Sequence, residues 1–70
     1  MTKIEDVIAG KNSQEKVDLQ GLQVPVTTLK KLLDEGYTNI RTYKENRTFS
    51  LWGKSCTACL SMEQMQERAG

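Results

Sequence analysis

The chain contains no histidine, and this absence narrows the chemistry open to it. Histidine is the commonest general base near neutral pH, the usual partner of a serine or cysteine nucleophile, and the commonest zinc ligand. Carboxylates remain as acid–base groups, but Glu5-Asp6 and Asp34-Glu35 are sequence neighbours on segments expected to face water. We therefore expect a protein that is not an enzyme and that has neither a cofactor nor a metal site, apart from the cysteine pair considered below.

Long apolar runs are absent as well. The N-terminal segment MTKIEDVIAG lacks the apolar run of a signal peptide, and no other segment is long and apolar enough to cross a bilayer. Two cysteines are too few for the disulfide framework of a small secreted protein. These features predict a cytoplasmic protein with no membrane partner.

The length and the apolar content predict one small folded domain, 1–70. Apolar residues make up 37% of the chain and charged residues 27%, a balance that favours a thin core over intrinsic disorder. The segments described below predict an α+β fold. A small antiparallel sheet with one or two hairpins packs on a central helix, and short helices lie at the two ends.

The first predicted helix is a short one at the N-terminus. Thr2 followed by Glu5 matches a capping box, and Ile4, Val7 and Ile8 follow at helical spacing before Gly10.

The central helix is predicted at residues 28–35. Thr27 or Thr28 provides its cap, and Gly36 provides a left-handed stop. Its apolar stripe is formed by Leu29, Leu32 and Leu33. The spacing of these leucines also matches the L-x-x-L-L pattern of helices that dock into coactivator grooves, although a core-facing helix needs the same spacing.

The segment 17–24 has two readings. A two-residue turn at Gln20-Gly21 would make it a hairpin that places its four apolar residues on one face. A bulge at Gly21 within one continuous strand is the alternative.

A second hairpin is predicted at residues 38–53, with its turn at Glu45-Asn46. Ile40 then faces Leu51 on the core side, and Thr42 faces Phe49. A terminal helix is expected from Ser55 or from Ser61, since Ser61 with Gln64 forms another capping-box pattern. Its narrow apolar stripe would contain Ala58, Met62, Met65 and Ala69.

The motif Cys56-Thr57-Ala58-Cys59 is the one with a defined chemical mechanism. A C-x-x-C pair serves as a redox dithiol or as half of a zinc site, which two chains could complete as a zinc-bridged homodimer. The stretch resembles glutaredoxins, with a strand at 49–52, a loop at 53–55 and a helix from Cys59. That resemblance implies that Cys56 is the nucleophile and Cys59 the resolving thiol. The simplest reading is two semi-buried free thiols at a helix start.

The basic charge is concentrated in one stretch of the sequence. Residues 41–54 hold four basic side chains and one acidic one, whereas the chain as a whole has a net charge of +1. The residues expected to contact a partner are Arg41, Tyr43, Lys44, Arg47 and Trp52.

Arginine, tyrosine and tryptophan are favoured anchors at protein interfaces, and single-strand nucleic-acid binders use similar surfaces. The sequence pI of about 7.7 favours a protein partner. We expect a small regulatory or inhibitory protein that binds a larger protein partner through this hairpin, with nucleic-acid binding as the alternative. A solvated outer face without a partner is the simplest reading. An unpaired edge strand, or an apolar stripe such as Met62 and Met65 left uncovered, would in addition favour a homodimer.

Overall fold

The structure is a computed structural model that describes residues 2–69, and in it four strands form one antiparallel sheet. The fold is α+β, as expected. In chain order the elements are β1 (Thr2–Lys3), α1 (Ile4–Ile8), β2 (Lys16–Leu19), β3 (Leu22–Pro25), α2 (Val26–Glu35), β4 (Tyr37–Tyr43), β5 (Thr48–Gly53), β6 (Thr57–Ser61) and α3 (Met62–Ala69). The sheet has the strand order β1-β4-β5-β6, and β2 and β3 form a separate hairpin.

The segment 17–24 is a hairpin, so the reading as one bulged strand is wrong. Leu19 pairs with Leu22, and Val17 pairs with Val24. The turn residues Gln20 and Gly21 have φ angles of 53° and 92°. Two successive positive φ values characterise the type I′ turn, whose twist matches that of the flanking strands.

Helix α2 has the predicted buried stripe but begins earlier than predicted. Leu29 and Leu32 are fully buried, and Leu33 is half-buried against the core. The helix starts at Val26 with Pro25 as N-cap, and neither Thr27 nor Thr28 caps it. Because the leucine stripe is used inside the protein, its L-x-x-L-L spacing is explained by core packing.

Helix α1 is present, but its predicted cap is wrong. Thr2 lies in β1, where it pairs with Ile40, and Lys3 occupies the N-cap position without a side-chain cap bond. Pairing with β4 therefore replaces local capping as the role of Thr2.

The second hairpin has the predicted register. Ile40 pairs with Leu51, and Thr42 pairs with Phe49.

A helix starting at Ser55 is wrong, because residues 57–61 form strand β6 along the other side of β5. Ala58 therefore faces the core from a strand, opposite Leu51.

The predicted helix start at Ser61 is confirmed by both bonds of a capping box. The Ser61 N–H donates to Gln64 Oε1 at 2.8 Å, and the Gln64 N–H donates to Ser61 Oγ at 3.3 Å. Met62 and Met65 are buried as expected, while the Ala69 side chain lies outside the described part of the structure.

The core is one apolar layer between the sheet and the remaining elements. Alternate residues of β4, β5 and β6 point into it and meet α1, α2, α3 and the β2–β3 hairpin. The fully buried side chains include Ile4, Val24, Val26, Leu29, Leu32, Ile40, Phe49, Leu51 and Met65. Among residues 2–69, no helix has the length and apolarity needed to cross a bilayer.

The end of β5 touches the end of α2 through two glycines. A Cβ added to Gly53 would overlap the carbonyl oxygen of Gly36 and would lie 3.3 Å from the Cys56 sulfur. The backbone is fixed there, since the Gly53 N–H donates to the Cys56 carbonyl at 2.9 Å. This close approach requires a residue without a side chain.

Thr28→Val tests a buried tie between α2 and α3. The Thr28 hydroxyl is buried and donates to the Met65 carbonyl at 2.8 Å. Valine keeps the shape but removes the donor, so we expect a loss of about 1–2 kcal/mol in the free energy of unfolding. Thr27→Val is the matched control, because its hydroxyl bond to the Ser13 carbonyl is exposed and its loss should cost less than about 0.5 kcal/mol. Urea denaturation followed by circular dichroism measures both, and equal losses would contradict the buried tie.

Gly53→Ala should destabilise the fold through its overlap with Gly36. The backbone must shift to admit one methyl group, and we expect a loss of roughly 3 kcal/mol or failure to fold. Gly10→Ala is the comparison, because nothing lies within 4 Å of its added Cβ and only its φ of 74° opposes the change. That substitution should cost about 1 kcal/mol. A Gly53→Ala protein as stable as Gly10→Ala would show that no such crowding exists.

Candidate protein-binding face

One face of the four-stranded sheet is left uncovered by the helices and the β2–β3 hairpin. Alternation along the strands places ten side chains there, and we call this set the outer face. Its members are Lys3, Asn39, Arg41, Tyr43, Thr48, Ser50, Trp52, Thr57, Cys59 and Ser61. All ten are exposed or half-buried, and none is acidic.

The pairing register arranges the outer face in rows that cross the strands. Tyr43 belongs to the first row and Arg41 to the second, while Trp52 belongs to the third. The successive rows are Tyr43–Thr48–Ser61, Arg41–Ser50–Cys59 and Asn39–Trp52–Thr57. Because adjacent rows are two residues apart, the two aromatic side chains are separated by about 13 Å, with the arginine row between them.

Arg41 and Tyr43 are in contact with one another. The Arg41 guanidinium carbon lies 5.4 Å from the centre of the Tyr43 ring, within the range of a cation–π interaction. Tyr43 is 41% exposed and is the most exposed large apolar side chain among the described residues. The pair therefore presents a flat ring and a charge side by side to solvent.

Arg41 also differs from Arg68 in having no carboxylate partner. Within residues 2–69 the ion pair present joins Arg68 to Glu35 at 2.8 Å, and it links α3 to α2 on the opposite side of the molecule. The charge of Arg41 is thus available to a partner, whereas that of Arg68 is already balanced.

The remaining predicted contact residues, Lys44 and Arg47, lie at the turn and form the rim of the outer face. The Arg47 N–H donates to the Lys44 carbonyl at 3.3 Å, and the Arg47 carbonyl accepts from the Met62 N–H at 3.0 Å. Lys44 leans away from the outer face, since its Cε lies 3.9 Å from the Cβ position of Gly21. The structure therefore brings three of the five predicted residues onto one face and leaves two at its edge.

A groove of about 620 Å³ borders the outer face between β4 and the β2–β3 turn. Its lining includes Asp18 and Gln20 from the hairpin and Arg41 and Tyr43 from β4. The groove is open to solvent and largely polar. It contains no set of groups arranged as nucleophile and base, so it extends the outer face without adding chemistry to it.

Cys59 lies in β6 opposite Ser50, so the helix predicted from Cys59 is wrong. Cys56 directly precedes β6, and its carbonyl accepts from the Gly53 N–H at 2.9 Å, which continues the ladder. Three residues of extended chain separate their Cα atoms by about 10 Å, beyond the span of a disulfide. Their side chains also point to opposite faces, with Cys56 half-buried between Gly36 and Gly53 and Cys59 exposed.

This geometry removes the structural basis of the resemblance to glutaredoxins, because the motif there requires a helix start. The C-x-x-C spacing brings two sulfurs together on a turn or a helix, but not along a strand. No group of three or more metal-ligating Cys, Asp or Glu side chains occurs in the described part of the chain.

Several members of the outer face were missed by sequence reasoning, chiefly those of β6. Thr57, Cys59 and Ser61 alternate with Ala58 and Leu60, which is the period of a half-buried strand. The short segment Gly53-Lys54-Ser55 before them was the available signal for a turn.

Oxidation of the native protein should leave the two thiols unpaired within one chain. We expect no intrachain disulfide after treatment with diamide, because the Cα separation is too large. We also expect Cys59 to be alkylated several times faster than Cys56, because Cys59 is exposed. Intact-mass and peptide mass spectrometry measure both, and rapid intrachain disulfide formation in the folded protein would contradict the strand geometry.

No protein-family model matches this chain, and no curated protein or solved structure matches it either.

Proposed function

We propose that this chain acts by binding, as a small regulatory or inhibitory protein of the cytoplasm, and that its partner is a larger protein with an acidic surface. The observation that carries the proposal is the uncovered outer face, which holds cationic and aromatic side chains and no acidic one. Catalysis is not part of the proposal, since the Ser13 hydroxyl, which accepts from Lys30 Nζ at 3.1 Å, is exposed and lies outside the groove.

The charge distribution supports an acidic partner. Lys3 and Arg41 lie on the outer face, and Lys44 and Arg47 lie at its rim. Glu5, Asp6, Asp34 and Glu35 lie on α1 and α2, which pack on the other side of the sheet. Helix α2 also carries Lys30 and Lys31, so the asymmetry lies in the outer face itself. Its ten members include two cations and no acid, which favours an acidic partner.

The side-chain chemistry supports a protein interface. Tyr43 and Trp52 supply rigid apolar area, and arginine can pair with a carboxylate through two parallel hydrogen bonds. The backbone of Trp52 is paired on both sides, and that of Arg41 and Tyr43 is paired with β5, so little conformational entropy is lost when a partner binds.

Nucleic acid is the second candidate, because the same combination of cations and rings suits a single strand. The separation of Tyr43 and Trp52 by a row containing Arg41 disfavours stacking of adjacent bases on both rings. The two candidates differ in salt dependence. A single strand neutralised by three cations should bind about 20-fold more weakly when the salt concentration rises fourfold.

The test is a comparison of two charge reversals. Arg41→Glu reverses a charge on the outer face, and Lys11→Glu reverses an exposed charge in the loop after α1. We expect the proteins recovered from a cell extract by the unmodified chain to be recovered by Lys11→Glu and lost with Arg41→Glu. Quantitative mass spectrometry of the bound fractions measures the difference, and Tyr43→Ala should reproduce the loss.

Recovery of the same proteins by both reversals would contradict the assignment of the outer face. A fluorescently labelled oligo(dT) strand provides the nucleic-acid control by anisotropy. If oligo(dT) binding requires Arg41 and weakens steeply with salt, the partner is nucleic acid and not a protein.

A further inference from the structure

Strand β6 forms one edge of the sheet, and its outward backbone groups are unpaired. The Gly53 N–H donates to the Cys56 carbonyl, and the Met62 N–H donates to the Arg47 carbonyl. In an antiparallel ladder hydrogen-bonded pairs alternate with non-bonded ones, so Ala58 and Leu60 point their N–H and C=O groups toward β5. Thr57, Cys59 and Ser61 therefore point theirs away from the sheet.

The outward groups of Thr57 and Cys59 have no hydrogen-bond partner among the described residues. Those of Ser61 differ, because the capping box occupies the Ser61 N–H with the Gln64 side chain. The open part of the edge is thus a short run of donors and acceptors centred on Ala58.

The edge carries none of the devices that prevent strand pairing. Its sequence Thr-Ala-Cys-Leu-Ser contains no charge and no proline, and the strand pairs with β5 without a bulge. The opposite edge differs, since β1 has two residues, one of them Lys3, and the part of β4 beyond β1 carries Arg41 and borders the β2–β3 turn.

The charges at the two ends of β6 are complementary to those of a second, antiparallel β6. Lys54 precedes the strand and Glu63 follows it, and both are exposed. A second β6 placed antiparallel brings Lys54 of each copy beside Glu63 of the other, whereas a parallel one would bring like charges together.

We infer that β6 is a self-association edge, where two copies of this chain pair antiparallel about a two-fold axis at Ala58. In this register Thr57 of one copy faces Cys59 of the second copy. The Ser61 N–H keeps its hydrogen bond to the Gln64 side chain. The two sheets become one continuous sheet, and the two outer faces become one surface. This contact goes beyond the proposed function and does not depend on it.

The first test is the mass in solution. An edge contact buries little surface, so we expect a dissociation constant of about 0.1 mM. Sedimentation velocity at rising concentration should show particles of twice the 7.9 kDa chain mass. A strictly monomeric protein at about 1 mM would overturn the inference.

The second test moves one charge between neighbouring strands. Cys59→Lys places a lysine on the edge strand, and Ser50→Lys places the same residue opposite it on the central strand, on the same face. We expect the first to raise the dissociation constant at least about tenfold and the second to change it less than about twofold. Equal effects would locate the contact elsewhere.

The third test is a charge exchange. Lys54→Glu should weaken the dimer by placing like charges together, and adding Glu63→Lys should restore it. Restoration requires the antiparallel arrangement. In a parallel pair, residue 54 would meet residue 54 and residue 63 would meet residue 63, so the double variant would still place like charges together. A double variant as weak as the single one would overturn the register.

A zinc-bridged dimer is distinguished by the cysteines. The double variant Cys56→Ser, Cys59→Ser should dimerise as well as the unmodified chain, and EDTA should leave the unmodified dimer intact. In Cys56→Ser protein, a short bismaleimide should join the two Cys59 thiols, whose Cα atoms lie about 8 Å apart across the axis. Loss of the dimer in the double serine variant would overturn backbone pairing in favour of a shared metal.

Discussion

The rest of the structure depends on one constraint, which is that a chain of 70 residues supplies enough apolar side chains for a single buried layer. That layer lies on one face of the sheet, where Ile40, Phe49, Leu51 and Leu60 meet the helices. Because side chains alternate along a strand, the residues between them point the other way and must tolerate water. The outer face is therefore a direct consequence of how the core is built.

The helices are held to this layer by a few specific contacts in addition to apolar packing. Thr28 ties α2 to α3 through a buried bond, and the approach of Gly53 to Gly36 ties the sheet to the end of α2. Arg47 accepts a bond from the first residue of α3, so the turn at the rim is joined to the same framework. A small domain gains a well-defined surface from such ties without needing a larger core.

Sequence reasoning succeeded where a pattern had one interpretation. Alternation placed Ile40 opposite Leu51, and helical spacing identified the buried stripe of α2. It failed where a helical pattern competed with strand pairing. Thr2 has a capping sequence but pairs with Ile40, a residue far along the chain that no short-range pattern contains. Ala58 fits a helical stripe but lies in β6, which pairs with the neighbouring strand β5 after a short turn.

The position of Trp52 determines what optical measurements on this protein report. It is the single tryptophan of the chain, and it lies half-buried on the outer face instead of in the core. Its emission is thus a probe of what covers that face more than of whether the core is folded. The buried aromatic ring is Phe49, which absorbs and emits weakly. The change in tryptophan emission on unfolding should therefore be small. Because the emission depends little on the core, a change in it on binding reports contact at the outer face.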